Sequence, residues 1–251
     1  MNEYWLPVLF FFIALFYSSV GFGGGSSYLA LLSLVLVDFH EIRSTALALN
    51  LVVVSIGTML FIRNKVFKWR YFWPFIISSV PLSFFGAQLK LSEKNFFLVL
   101  GGLLITASCF MITQSLSLKQ SEKTLPLLKK LSLGSSLGLL SGISGIGGGI
   151  FLSPTLNLIG WKDPRVVASL ASVFIFFNSI GGLGGLIMAD TFQFNIERLL
   201  PLMVAVGLGG ALGGFVTNKK FNIQIIRLLT AILIAYVGLK LILLNGWGIH
   251  I

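Results

Sequence analysis

The chain has 251 residues, of which 56% are hydrophobic and 10% charged, and its mean hydropathy is +0.95. A soluble domain carries about 25% charged and roughly 45–50% apolar residues, so the composition excludes a soluble enzyme, a DNA-binding domain and a disordered protein. The net charge of +10 then belongs to the loops of a polytopic membrane protein, where basic residues gather on the cytoplasmic side and set orientation. In chain order the charge-free stretches are Tyr4–Val37, Ser44–Ile62, Tyr71–Leu89, Asn95–Leu118, Leu131–Trp161, Val166–Ala189, Leu199–Asn218 and Leu228–Leu239, the last continuing past Lys240. About 20 apolar residues cross roughly 30 Å of hydrocarbon as a helix, so most stretches predict one helix each. Tyr4–Val37 and Leu131–Trp161 are too long for one crossing.

Both long stretches are interrupted near their middle, by Gly21-Phe22-Gly23-Gly24-Gly25 and by Gly145-Ile146-Gly147-Gly148-Gly149. Glycine costs about 1 kcal/mol relative to Ala inside a helix, so four in five residues predict helix, break, helix. Met1-Asn2-Glu3 lacks the positive region of a cleaved signal, and the first hydrophobic run is expected to stay as a helix. Cys109 stands alone, which excludes a disulfide framework and a cysteine metal site. His40 and His250 are too far apart for a zinc motif. No cofactor is expected.

The two glycine runs are offset by 124 residues, and the offset recurs downstream in Ser55-Ile56-Gly57 with Ser179-Ile180-Gly181, and in Gly86-Ala87 with Gly210-Ala211. The expected architecture is therefore all-α and polytopic, with two homologous halves. Residues 1–118 form a first transmembrane repeat, 119–130 a polar cytoplasmic linker, and 131–251 a second transmembrane repeat. Loop charge separates parallel from inverted halves. If each broken element enters and leaves on one side, the halves are inverted and 13 of the 18 Lys and Arg lie inside; a parallel arrangement splits them 10 to 8. Arg63–Arg70 carries four bases, whereas its counterpart Asp190–Arg198 carries two acids and one base. The positive-inside rule favours inversion. Whether each broken element is a re-entrant hairpin or two thin crossings stays open at this level.

A helix that restarts inside a membrane exposes unpaired N–H groups and its positive dipole end. Hydrocarbon penalises such groups, so the break must face protein or a wet cavity, and it is suited to an anion. The expected substrate-binding residues are Gly23, Gly24, Gly25, Ser26 and Ser27 with Ser19 in the first half, and Gly147, Gly148, Gly149 and Ser144 in the second. Asn178 is the preferred pore-lining amide. Ser18, Ser141 and Ser153 lie close by, while Asn50, Gln88 and Asn157 read as interhelical glue. Runs such as Gly207–Gly214 and Gly181–Gly185 read as packing faces, because glycine lets backbones approach. Cys109 reads as a small core residue, and Trp69, Trp73, Trp161 and Trp247 as interface anchors. No ionisable residue is expected deep in a span. Asp38, His40, Glu41 and Arg43 read as a solvated turn, so no proton relay is evident.

Gly21-Phe-Gly-Gly-Gly, the run from Ser144 through Gly147-Gly148-Gly149 to Ser153-Pro154, the two-half layout and the length resemble the TauE/SafE sulfite exporter family of bacterial inner-membrane proteins. The resemblance covers essentially the whole chain. It implies transport of sulfur-containing anions such as sulfite, sulfonates or sulfoacetate, and it carries the family's glycine motifs onto Gly21, Gly23, Gly24 and Gly25 and onto Gly145, Gly147, Gly148 and Gly149. The copies differ beyond the glycines, with Ser26-Ser27-Tyr28 in one and Ile150-Phe151-Leu152 in the other, so the site is expected to be asymmetric. The expected partners are a small anionic substrate and membrane lipid, with no nucleic acid; a homo-oligomer stays open. Alternating access by a carrier is the leading mechanism. An anion channel and a non-transporting scaffold subunit are the alternatives, and the spans hold no nucleophile–base pair or metal constellation for an enzyme.

Overall fold

The computed structural model describes residues 5–20, 23–36, 38–116, 123–216 and 223–249. Gly21, His250, the first part of the linker (119–122) and the Asn218-Lys219-Lys220 insertion lie outside them, as does the side chain of Ser19. Among the described residues there are ten α-helices and no strand. They are α1 (Leu6–Val20), α2 (Gly25–Val35), α3 (Phe39–Arg63), α4 (Trp69–Ala87), α5 (Glu93–Leu116), α6 (Leu127–Ser144), α7 (Gly149–Ile159), α8 (Pro164–Met188), α9 (Ile196–Val216) and α10 (Ile223–Ile242). A π-helical turn, Leu243–Trp247, prolongs α10. By length and composition, α3, α5, α8, α9 and the end of the chain from Leu228 to Trp247 can each cross a bilayer. The protein is a multi-pass membrane protein.

Both expected helix breaks are present, at Gly23–Gly24 and at Gly145–Gly148. Gly24 (φ 86°) and Gly148 (φ 75°) precede α2 and α7 in the left-handed conformation, which costs an ordinary residue about 1–2 kcal/mol. Asp38 and Asp163 start the long helices that follow, accepting hydrogen bonds at 2.8 Å from the N–H groups of His40 and Arg165.

The principal helix contacts keep their pattern when α1–α5 are exchanged with α6–α10. α1 packs on α9 as α6 packs on α4, α2 on α3 as α7 on α8, and α2 on α10 as α7 on α5, while α3 meets α8 and α5 meets α10. The last two pairs run antiparallel. Leu47 lies at Gly182 while Thr58 bonds Ser172 at 3.2 Å, and Gly101 lies at Gly238 while Ser108 donates to the Ala231 carbonyl at 2.8 Å.

Glycine governs the closest of these contacts. A Cβ at Gly209 or Gly213 would overlap the carbonyls of Phe11 or Leu15 on α1, and one at Gly138 or Gly142 would overlap those of Ser79 or Ser83 on α4. Gly185 meets the Phe84 carbonyl in the same way. Lipid is as apolar as Leu, so helices in a membrane associate through close packing of this kind rather than through the hydrophobic effect. The packing-face reading of Gly181–Gly185 and Gly207–Gly214 therefore stands.

Two sequence expectations are corrected here. Cys109 is exposed on α5 and faces away from the core. Trp161 is 2% exposed, with its ring edge-on to Phe75 at 5.6 Å and to Tyr71 at 6.3 Å, so it anchors α7 to α4 inside the protein. Trp69 and Trp247 are exposed, as anchors at an interface are.

Candidate anion site at the paired helix breaks

The two breaks meet. Asn50, in the middle of α3, touches both: Gly23 and Gly25 of the first and Gly147 of the second have ideal Cβ positions at or inside contact with its carboxamide. The Asn50 Nδ2 donates to the Ile146 carbonyl at 3.2 Å, tying the second break to the helix that faces the first. From α8, Ile175 closes the other side, lying against Gly23, Gly147 and Gly149. The junction thus lies at mid-length of α3 and α8, and α2 runs from it to the start of α3. The reason is local: no Cβ fits where Asn50, the Ile146 carbonyl and Gly25 come together, so glycine alone allows the approach.

Neither α2 nor α7 has a side-chain cap at its N-terminus. Their first-turn N–H groups and positive dipole ends are therefore free of internal side-chain acceptors at this junction. Several polar side-chain atoms around it are buried without a hydrogen-bond partner: Asn50 Oδ1, the Tyr28 hydroxyl and Ser141 Oγ. Tyr28 stacks on Phe10 at 5.0 Å and lays its ring over Gly24, where a Cβ would lie 2.7 Å from it. Ser27 is fully buried and shares a 2.6 Å hydrogen bond with the Tyr17 hydroxyl. Beside that pair a cavity of about 230 Å³ opens between α1, α2 and α10, lined by Ile13, Phe16, Leu229, Thr230 and Leu233. Among the described residues no cluster of three or more His, Cys, Asp or Glu could hold a metal ion.

The residues singled out in the sequence do not all come together. Gly23 and Gly25 of the first break and Gly147 and Gly149 of the second meet at the junction, with Gly24 under the Tyr28 ring and Gly148 against Phe174. Ser27 turns instead to Tyr17, beside the cavity between α1, α2 and α10, and Ser26 is buried with its hydroxyl unbonded. Ser144 acts locally: its Oγ donates to the Leu140 carbonyl at 2.7 Å and accepts from the Ile146 N–H at 3.2 Å, bracing the turn. Ser18 donates to the Gly210 carbonyl at 2.8 Å, within the α1–α9 contact. Asn178 bonds Ser79 Oγ at 2.9 Å and the Phe174 carbonyl at 2.8 Å, so it joins α8 to α4. The amide at the junction is Asn50. Its counterpart at the 124-residue offset is Phe174, so the internal repeat carried no signal for it.

Arg43 is the largest departure from the sequence expectation. It is 2% exposed, not part of a solvated turn. Its Nη2 donates to the carbonyls of Gly142 at 2.8 Å and Ala87 at 3.1 Å, at the ends of α6 and α4. Of its neighbours, Glu41 pairs with Arg198 at 2.5 Å and Asp38 caps α3.

A bundle of membrane-crossing helices with two helix breaks meeting in its interior defines a multi-pass membrane transporter. A family model for sulfite exporter TauE/SafE matches residues 6–241, and the chain belongs to that family. It is 33% identical over 243 residues to a probable membrane transporter protein of Sinorhizobium fredii, covering 94% of this chain and 97% of the relative. It is 26% identical over 257 residues to a probable membrane transporter protein of Methanocaldococcus jannaschii, covering 95% and 96%. No solved structure matches the chain.

Proposed function

We propose that the protein carries a small sulfur-containing oxyanion, of the sulfite, sulfonate or sulfoacetate class, across the cytoplasmic membrane by alternating access. The observation that carries this reading is the convergence of both glycine breaks on Asn50 and Ile175, with the uncapped N-termini of α2 and α7 at that junction. Backbone N–H groups and hydroxyls there can replace an anion's hydration shell without a fixed charge. The half-helix ends of discontinuous helices at the interface of two repeats are the binding element of many carriers.

The halves, residues 1–118 and 131–251, act in this reading as inverted repeats joined by a cytoplasmic linker. The antiparallel run of α3 against α8 and of α5 against α10 supports inversion, as does the excess of bases at Arg63–Arg70. Each broken element then enters and leaves on one face, and the two halves rock about the junction.

Counterflow in proteoliposomes loaded with labelled sulfite, sulfoacetate and a short alkanesulfonate tests the proposal. Saturable exchange of at least one of them is expected. Correctly folded protein that moves none of them overturns the substrate class, and single-channel current in place of saturable exchange overturns the carrier mechanism.

A further inference from the structure

We propose that Arg43 is the specificity-determining charge of transport, a fixed cation that selects for anions on the side of the junction nearer the start of α3. The inference rests on the reading of the chain as an anion carrier.

Arg43 and Asn50 are seven residues apart on α3, two turns along one face. Both face the second break: Asn50 bonds the Ile146 carbonyl, and the Arg43 stem lies 3.4 Å from where a Cβ of Gly145 would be. Arg43 is thus about 10 Å from the junction along the helix axis, at 1.5 Å per residue. Among the described residues it has no carboxylate partner, and Phe96 lies over its guanidinium at 5.7 Å. Its bonds run to the carbonyls of Gly142 and Ala87, at the negative ends of two helices, and its Nε is buried without a partner.

A buried ion normally needs a counter-ion as well as hydrogen bonds, because desolvation costs several kcal/mol. Two helix ends supply partial negative charge only, so the site keeps a net positive potential and an open donor. An intramembrane cation in that state marks an ion path more often than a structural contact. The second half repeats the place without the charge. At the 124-residue offset Arg43 becomes Val167, buried and apolar, and Gly142 becomes Ser18, which itself bonds Gly210. The cation therefore stands on one side of the junction only, and the two faces of the carrier meet an anion differently.

A helix cap and a charge selector are separated by comparing Arg43→Lys with Arg43→Gln. Lys keeps the charge and loses the planar fork; Gln keeps a donor for the carbonyls and loses the charge. Reconstituted full-length protein is assayed for concentration-dependent exchange of labelled sulfite, with monodispersity and thermal midpoint measured on each variant. Arg43→Gln is expected to stay folded and to raise the half-saturating sulfite concentration by at least about tenfold, as loss of a charge-assisted interaction does. Arg43→Lys is expected to stay close to wild type. Equal impairment of the two variants, unfolding of both, or no effect of Arg43→Gln makes Arg43 a structural cap and overturns the inference. Wild-type protein that exchanges no sulfur oxyanion overturns the carrier reading, and this inference with it.

Discussion

Gly25→Ala is the sharpest test of the junction, because Gly25 is the first residue of α2 and its φ does not by itself demand glycine. The cost is one of space alone. The new methyl group would overlap the Asn50 amide and lie 2.6 Å from the Ile146 carbonyl oxygen. Carbon contacts are optimal at about 3.5–4.0 Å, so the two breaks must separate by roughly 1 Å. Overpacking costs about 1–3 kcal/mol, and the Asn50–Ile146 hydrogen bond, at 3.2 Å in the native junction, adds about 0.5–1.5 kcal/mol when it is lost. The sum is about 1.5–4.5 kcal/mol. If substrate holds the breaks together, that sum corresponds to an affinity loss of roughly 10- to 2,000-fold. The assay is substrate-dependent thermal shift in detergent alongside sulfite exchange. Gly102→Ala is the control, since nothing lies within 4 Å of its added methyl. Asn50→Ala in the Gly25→Ala background should recover part of the thermal midpoint by restoring space, and the double-mutant cycle isolates the coupling. If Gly25→Ala melts, binds and transports like Gly102→Ala, the breaks do not meet as described.

Gly24→Val combines left-handed backbone at φ 86° with a clash against the Tyr28 ring, and Gly148→Val does the same at φ 75° against Phe174; both should abolish sulfite binding in a thermal-shift titration while a folded fraction survives in size-exclusion chromatography. Ser27→Ala removes the 2.6 Å bond to Tyr17, and its half-saturating sulfite concentration should rise only two- to tenfold, roughly the worth of one neutral hydrogen bond. Asp38→Ala and Asp163→Ala each remove a helix cap and should cost about 1 kcal/mol of stability while leaving substantial flux; abolished flux with intact folding would give that aspartate a part in transport. In a Cys109→Ala background, single cysteines at Lys65 and Gln193 should react with an impermeant thiol reagent from opposite sides of the membrane, and labelling from the same side would rule out inverted halves.

The helix breaks were legible as candidates, because glycine-dense runs such as Gly23–Gly25 and Gly147–Gly149 weaken a helix. Density alone did not decide them: Gly181-Gly182-Leu183-Gly184-Gly185 is as rich in glycine and continues α8, where the glycines pack on α4. The family resemblance rested on the same residues. Asn50 and Asn178 were not separable in this way. Each is one amide in an apolar span, and which one reaches the breaks depends on how α3 and α8 are rotated about their axes. For α8 that rotation is fixed where its own glycines seat it on α4, Gly181 against the Val80 carbonyl and Gly185 against that of Phe84.

Arg43, Cys109 and Trp161 make the same point from the other side. Clustering along the chain with Asp38, His40 and Glu41 suggested that Arg43 is solvated, yet α4 and α6 end beside it and bury it. An apolar stretch in a membrane has two kinds of apolar neighbour, lipid and protein, and hydropathy alone does not tell them apart. Cys109 accordingly faces outward and Trp161 inward, against expectation. The amino-acid sequence by itself determined that the chain lives in a membrane and where its helices run, and it offered two glycine breaks and an internal repeat as expectations. Only the tertiary structure decided which helix faces turn toward the breaks and which charge is buried beside them, because helix formation is a property of consecutive residues and burial in a bilayer is a property of the neighbours those residues meet.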